Sequence, residues 1–168
     1  MQNKIFALLA SPRKNGNSEI LLDEALKKIP RERIVKVRIC QLQIQPCQSC
    51  GYCQLSGRCK IKDDFHGLIG KMLNSQSVII ASPIYFYHLP SQFKAFIDRS
   101  QSFWSKKYLL KQNVFKPKNV YTILVGATVG KKLFLGSQLS LKYFYDIYNL
   151  CQKGELLVRG VDKKSPHP

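Results

Sequence analysis

Five short runs suited to β-strands recur along this chain, separated by segments with helical periodicity. Three of them, at residues 4–10, 77–81 and 120–125, are almost continuously apolar, which is typical of strands buried on both faces of a sheet. Residues 33–39 alternate charged and apolar side chains, as an outer strand does, and residues 156–161 form the last run. Strands buried on both faces need helices on both sides. The pattern therefore predicts an α/β fold with a parallel sheet.

The segments between these runs carry apolar residues at helical spacing. Helices are predicted from about residue 18 to residue 28, over residues 65–73, along a stripe at residues 93–104, and over residues 133–150. Asp63 is a plausible N-cap for the second of them. Right-handed crossovers would wind such a chain into a doubly wound sheet, in which ligands lie beyond the carboxyl ends of the strands.

Length and apolar content fit one domain over residues 1–168. No run approaches the roughly 20 apolar residues of a membrane-spanning helix. The first apolar run is shorter than the roughly 7 to 15 residues of a secretory signal core, and Arg13 and Lys14 follow it directly. We therefore expect a cytoplasmic protein with no membrane contact.

A formal net charge of +17, from 27 basic and 10 acidic residues, raises the question of a polyanionic partner. The basic residues are spread along the chain in short groups and form no stripe of the kind that tracks a phosphate backbone. We expect no nucleic-acid partner, and we expect the basic surface to suit phosphate-bearing cofactors.

The loop at residues 11–18 joins a predicted buried strand to a helix N-terminus. Unpaired backbone N–H groups and the helix dipole attract an anion there, and Ser11, Arg13, Asn17 and Ser18 would complete a phosphate cradle. It is not a Walker loop, because the Gly-Lys-Ser/Thr ending is absent. The alternative is an ordinary polar turn that caps the helix.

The loop at residues 82–90 carries three aromatic residues after a strand's carboxyl end. A flat apolar ligand would lie against such rings and the adjacent backbone. The alternative is that the rings fill core space beneath a helix. His88 is expected to be a hydrogen-bonded packing residue.

Four cysteines follow the pattern C-x2-C-x2-C-x5-C, at Cys47, Cys50, Cys53 and Cys59, within a cysteine-rich loop at residues 44–62. Four thiolates at such spacing suit a [4Fe–4S] cluster. A structural zinc ion and a set of free or redox-active thiols are the alternatives. The other two cysteines, Cys40 and Cys151, are expected to be buried, and Asp98 and Arg99 to pair with each other or with the loop below.

Four segments give the chain a resemblance to a known family: SPRKNGNS, PCQSCGYCQLSGRCKIKDD, SPIYFYHLPSQFKAFIDRS and LSLKYFYDIYN. In this order they resemble the flavodoxin-like NAD(P)H-dependent FMN reductase family, and most closely its iron–sulfur flavoprotein branch. The resemblance covers about residues 4–162. It implies a five-stranded parallel sheet of order 2-1-3-4-5.

The resemblance also implies which residues contact the cofactor. The first loop would hold the FMN phosphate through Ser11, Arg13, Asn17 and Ser18. The isoalloxazine ring would be lined by the residues that follow the third and fourth strands, namely Pro83, Ile84, Tyr85, Phe86, Gly126, Ala127 and Thr128.

By the same resemblance, the activity would be an FMN-dependent oxidoreduction. NAD(P)H would be the co-substrate, and the acceptor a quinone, a flavin, a small electrophile or a protein. The alternative is an iron–sulfur flavoprotein that carries electrons between protein partners. We expect the family's final helix to be missing after Ser165, and a homodimer or homotetramer to cover the exposed face.

Overall fold

The computed structural model describes residues 4–112 and 115–161. The strands in this part of the chain are β1 (Ile5–Leu9), β2 (Ile34–Arg38), β3 (Ser77–Pro83), β4 (Lys118–Val125) and β5 (Leu150–Val158). They form one parallel sheet in the order β2-β1-β3-β4-β5. The predicted flavodoxin-like order is therefore confirmed.

Helices connect the strands and lie on both sides of the sheet. The α-helices among the described residues are α1 (Asn17–Leu26), α2 (Tyr52–Ser56), α3 (Phe65–Leu73), α4 (Ser91–Arg99), α5 (Gln101–Trp104) and α6 (Leu135–Ile147). A π-helical turn at Ser105–Leu109 extends α5. The last helix is shorter at both ends than the prediction of residues 133–150.

The last strand differs most from its prediction. It begins at Leu150, six residues before the expected start, and ends at Val158. It is an edge strand, and most of its residues are exposed. An edge strand lacks the continuous burial that shows a strand as an apolar run in the sequence. The first residues of β5 therefore show no apolar pattern that would predict a strand.

Two apolar cores lie on opposite faces of the sheet. The larger one packs α3, α4 and α6 against β1, β3 and β4, and the ring of Phe96 contacts those of Phe65 and Phe144. The smaller one packs α1 against the other face. On that face Tyr121 and Leu156 remain exposed, so β4 and β5 present an open apolar area.

None of the described helices is long and apolar enough to cross a membrane. The expectation of a missing terminal helix concerns the segment after Val161, which lies outside the described residues.

Candidate functional site

Three loops meet at the carboxyl edge of the sheet. The backbone N–H of Ala10 donates to Ala81 O over 2.8 Å, and that of Ile84 donates to Val125 O over 2.8 Å. These bonds place the loops that follow β1, β3 and β4 side by side. This edge is where a doubly wound fold binds its ligands, and the loops there contain the predicted cofactor-contacting residues.

The first of these loops has unused hydrogen-bond donors at the start of α1. The N-cap residue of α1 is Gly16, and no side chain caps the helix. The backbone N–H groups of Asn17 and Ser18 have no hydrogen-bond acceptor within the described structure. Ser11 and Ser18 are buried, whereas Arg13 is exposed. In an ordinary capping turn a side-chain oxygen accepts a hydrogen bond from the first backbone N–H groups of the helix. Here no side chain does so, and these N–H groups remain free to bind an anion.

Arg38 and Glu19, which no sequence motif marks, hold this loop. One guanidinium nitrogen of Arg38, at the end of β2, donates to Ser11 O over 2.9 Å and to Arg13 O over 3.1 Å. The other contacts the carboxylate of Glu19 in the first turn of α1. Glu19 also accepts a hydrogen bond from the backbone N–H of Asn15 over 2.8 Å. The hydrogen bond from Arg38 is the main reason that the pKa of Glu19 falls to about 2.

The second loop projects aromatic rings into solvent. Tyr85 and His88 exchange two backbone hydrogen bonds of 2.8 and 2.9 Å, which close a tight turn over Phe86 and Tyr87. Both turn residues are left-handed, with φ of 48° and 61°. This conformation costs roughly 1–2 kcal/mol per non-glycine residue. Phe86 is fully exposed, at 104%, so the core-filling alternative is wrong for this ring.

The neighbours of the aromatic turn are packed more tightly. Ile84 is buried and Pro83 is half-buried at the end of β3. The ring Nε2 of His88 lies 3.0 Å from Ser140 Oγ on α6, which supports the packing role predicted for this histidine. Strained aromatic residues beside a rigid strand end form a surface against which a flat ring can lie.

The third loop approaches the second. A Cβ added to Gly126 would lie 2.3 Å from Leu133 Cδ2, and one added to Gly130 would lie 2.6 Å from the Tyr87 hydroxyl oxygen. A side chain at position 126 would therefore clash with the buried Leu133, whereas one at position 130 would displace the exposed Tyr87 ring. Ala127 is half-buried and Thr128 is exposed, so these two residues face outward at the same edge of the sheet as the aromatic turn.

The four motif cysteines line one cavity of about 280 Å³. Cys47 and Cys50 are exposed, and Cys53 and Cys59 are half-buried. Gly51 and Gly57, on either side of α2, have φ of +72° and +66°, a region that glycine enters without steric cost. The two glycines allow the chain to turn so that all four cysteines contribute to the wall of the same cavity.

Arg99, at the end of α4, joins both ends of the cysteine loop. Its buried guanidinium donates to Gln45 O over 3.0 Å, to Ile61 O over 3.2 Å and to Cys59 Sγ over 3.1 Å. It also pairs with Asp63 at 2.7 Å. The prediction that Arg99 pairs with the loop below is therefore confirmed. The prediction that Asp63 is the N-cap of α3 is wrong, because the N-cap residue is Asp64; Asp63 instead binds Arg99 and accepts the backbone N–H of Phe65 over 3.1 Å.

The charge of Asp63 is stabilised by hydrogen bonds. Burial alone raises the pKa of its carboxyl group, but hydrogen bonds from Arg99 and from the backbone N–H groups of Gln45 and Phe65 outweigh burial and lower the pKa below its usual value of 3.8. Asp98 pairs with Lys94 on the surface of α4 instead of with Arg99.

Basic side chains surround the outer wall of the cysteine loop. Arg58, Lys60, Lys62 and Lys106 line a second cavity that also includes Cys59 and His66. None of these four cations forms an ion pair with a carboxylate in the described part of the chain. Their positive charge would favour a negatively charged group at the thiols.

Two findings bear directly on the cysteine predictions. In residues 4–112 and 115–161, no three His, Cys, Asp or Glu side chains are arranged to hold a single metal ion. The expectation that Cys40 and Cys151 are buried is wrong, because Cys40 is only partly buried and Cys151 is exposed. Cys151 lies on the edge strand β5, where most side chains face solvent.

Known proteins resemble this chain in sequence and fold. The family profile of NADPH-dependent FMN reductases matches residues 3–145. An iron–sulfur flavoprotein of Archaeoglobus fulgidus is 37% identical over 130 residues, which is 76% of this chain and 56% of the relative. An iron–sulfur flavoprotein of Methanosarcina thermophila is 35% identical over 114 residues, or 66% of this chain and 59% of the relative.

The chain thus spans somewhat more than half the length of these two relatives. Among solved structures, an FMN-dependent NADH-azoreductase from Bacillus anthracis in complex with FMN superposes with a TM-score of 0.68. The two are 11% identical, and the match covers 95% of this chain and 89% of the azoreductase. At that identity the likeness shows the fold alone.

Proposed function

The chain belongs to the NADPH-dependent FMN reductase family, and on this premise we propose that it is an FMN-dependent oxidoreductase that takes electrons from NAD(P)H. The observation that carries the proposal is the uncapped N-terminus of α1, with free backbone N–H groups at Asn17 and Ser18. Such a helix end binds phosphate well.

The proposed phosphate site fits FMN in its chemistry. The backbone N–H groups of Asn17 and Ser18 would donate to the phosphate, together with the hydroxyl groups of Ser11 and Ser18 and the side chain of Asn17. The exposed guanidinium of Arg13 would add a charge-assisted contact. When bound, FMN supplies the ring that accepts a hydride from NAD(P)H and passes electrons onward.

The proposed ring site consists of strand ends and loop backbone. Pro83 and Ile84 would form its floor, and Tyr85 and Phe86 would lie against the ring. Gly126, Ala127 and Thr128 would approach its other edge. These residues position the ring and exclude water from one face of it, and no described side chain is needed as a catalytic acid or base.

We also propose that Cys47, Cys50, Cys53 and Cys59 hold a [4Fe–4S] cluster. Three observations support this: the four cysteines line one cavity, cations without a carboxylate partner among the described residues line the adjacent cavity beside Cys59, and two relatives are named iron–sulfur flavoproteins. A cluster spreads its thiolates around eight atoms, so it does not need the close convergence that a single ion needs.

A second candidate function follows from the same cavity. If a cluster is present, the chain would serve as an electron carrier between protein partners, and the basic side chains beside Cys59 would suit an acidic partner surface.

A homodimer or homotetramer is proposed as the assembly, because Tyr121 and Leu156 on one sheet face and Leu135, Leu139 and Tyr143 on α6 are exposed.

An anaerobic reduction experiment tests the proposal. FMN-loaded protein is mixed with NADPH or NADH, and the yellow absorption of the flavin is followed before and after a quinone or free flavin is added. Bleaching by the nucleotide, with repeated turnover on the acceptor, supports the reductase. Rapid reduction by a low-potential protein donor but not by either nucleotide supports the carrier.

The Arg13→Ala variant tests the phosphate contact. A charge-assisted contact contributes about 1.5–3 kcal/mol, so the affinity of the variant for FMN should fall roughly tenfold to a hundredfold. Riboflavin, which has no phosphate, is the control ligand, and its affinity should change little. Equal losses for both flavins would contradict the assignment of Arg13 to the phosphate.

A further inference from the structure

We infer that Arg38 is the positioning residue that gives the first loop its preference for a phosphorylated flavin. It turns the loop's carbonyl oxygens away from the phosphate site and neutralises the carboxylate of Glu19 beside that site. This inference rests on the proposed function, because it concerns the same FMN phosphate. Arg38 itself need not touch the ligand.

The first part of the inference follows from peptide geometry. The guanidinium of Arg38 can only donate hydrogen bonds, and it donates to Arg13 O over 3.1 Å and to Ser11 O over 2.9 Å. In a planar trans peptide the C=O and N–H bonds point in opposite directions. The N–H of Lys14, which shares its peptide unit with Arg13 O, therefore points away from Arg38. Ser11 O precedes Pro12, so that peptide has no N–H to offer.

The orientation of these carbonyls matters for an anion. A carbonyl oxygen directed at a phosphate would repel it, whereas a backbone N–H attracts it. By holding both carbonyls on the β2 side of the loop, Arg38 removes two acceptors from the side on which the phosphate would bind. Cys40 adds a weak thiol contact to Ser11 O at 3.7 Å, but a guanidinium is the stronger and charged donor.

The second part concerns the charge of Glu19. This carboxylate lies in the first turn of α1, close to the helix end that would receive the phosphate, and two like charges at such a place repel each other. Its side chain is 13% exposed, as is that of Arg38, so solvent screens the pair only partly. Arg38 contacts the carboxylate directly, and Lys36 adds a second cation at 3.3 Å.

Glu19 also shapes the loop. It accepts the backbone N–H of Asn15 over 2.8 Å, and Asn15 has a left-handed φ of 55°. The carboxylate thus stabilises the turn that leads into α1. The arrangement needs one planar cation that contacts two carbonyls and a carboxylate at once, which a lysine cannot provide.

The experiment measures affinities of flavin-free protein for FMN and for riboflavin by quenching of flavin fluorescence. The variants are Arg38→Ala, Arg38→Lys and the double variant Arg38→Ala with Glu19→Gln. The matched control for net charge is Arg31→Ala. It removes an exposed cation that lies just before the start of β2, whereas Arg38 lies at the end of this strand. Riboflavin binding and a thermal melt report whether each variant is folded.

The expected result is a selective loss. Arg38→Ala should bind FMN about tenfold more weakly, because the uncompensated Glu19 carboxylate and the released carbonyl oxygens would both repel the phosphate, while riboflavin binding is nearly unchanged. Arg38→Lys should fall between the wild type and Arg38→Ala. The double variant should regain part of the FMN affinity, because glutamine still accepts the Asn15 N–H but carries no charge. Arg31→Ala should resemble the wild type.

Other outcomes separate the inference from the proposed function. If Arg38→Ala lowers the affinities for FMN and riboflavin equally, or lowers neither, the role of Arg38 is overturned, while FMN binding by the wild type still stands. A double variant as weak as Arg38→Ala would overturn the charge-compensation part. Wild-type protein that binds neither flavin would overturn the proposed function and this inference with it.

Discussion

The guanidinium of Arg99 donates a hydrogen bond to Cys59 Sγ over 3.1 Å, although forty residues separate the two along the chain. The same side chain contacts the backbone on both sides of the cysteine loop, at Gln45 and Ile61. A buried cation in this position does two things: it closes the loop, and it offers a charged donor to a thiol that the [4Fe–4S] proposal needs as a thiolate.

Replacing Arg99 by alanine should destabilise the protein strongly. Loss of one partner from a buried, hydrogen-bonded ion pair costs about 3–5 kcal/mol, because Asp63 is left buried without its cation. Urea unfolding measures the change, and limited proteolysis of the loop should accelerate. Lys60→Ala, which removes an exposed cation from the same loop, should stay within about 0.5 kcal/mol of the wild type. A similar stability for both variants would contradict the role of Arg99.

Iron content tests the four-cysteine proposal. Anaerobically reconstituted protein should contain about four irons per chain, as four-thiolate ligation requires. Cys59→Ala should lose most of this iron and keep FMN, because the first loop lies on a different strand end. The matched control is Cys151→Ala, an exposed cysteine on β5, which should keep its iron. Reconstituted wild type with flavin but no iron or sulfide would rule the cluster out.

The aromatic turn allows strain and binding to be separated. Phe86→Gly should remove a left-handed cost of roughly 1–2 kcal/mol, partly offset by the larger conformational freedom of glycine in the unfolded chain, about 0.5–1 kcal/mol. A small gain in stability is expected. Phe86→Ala keeps the strain and should show no gain. Both variants lose the ring and should bind FMN and riboflavin equally more weakly, and unchanged binding in both would show that Phe86 does not contact the flavin.

Acid should weaken the protein through Glu19. The pKa of this carboxyl group is about 2 in the folded chain against an ordinary value of 4.5. Its contribution to stability is therefore present above about pH 4.5 and is lost as the pH falls toward 2. Asp63 acts in the same direction. Urea unfolding between these pH values should show a shallower loss for Glu19→Gln than for the wild type, and identical slopes would contradict the ion pair with Arg38.

Much of the fold was predictable because burial leaves a simple pattern in sequence. The central strands are continuously apolar, so their number, their type and the loops that follow them could be identified. The edge strand β5 was predicted too short, because its first residues are exposed and show no periodicity. Cys151 lies in this exposed stretch, so the prediction that it is buried is wrong.

The site was predictable only where its residues are local. The phosphate loop, the aromatic turn and the cysteine spacing each lie within one short segment. Arg38 and Arg99 act on atoms 19 to 54 residues away. In the sequence Arg38 is one more charged residue of an alternating strand, and no local pattern marks it as a partner of Ser11 or Glu19.

Titration of flavin-free protein with FMN tests the central claim most directly. Quenching of flavin fluorescence should saturate at one FMN per chain, and FMN should bind more tightly than riboflavin and FAD, because the site offers one phosphate cradle at the start of α1. Absence of quenching by FMN, or equal affinity for FMN and riboflavin, would contradict the assignment of this loop as an FMN phosphate site.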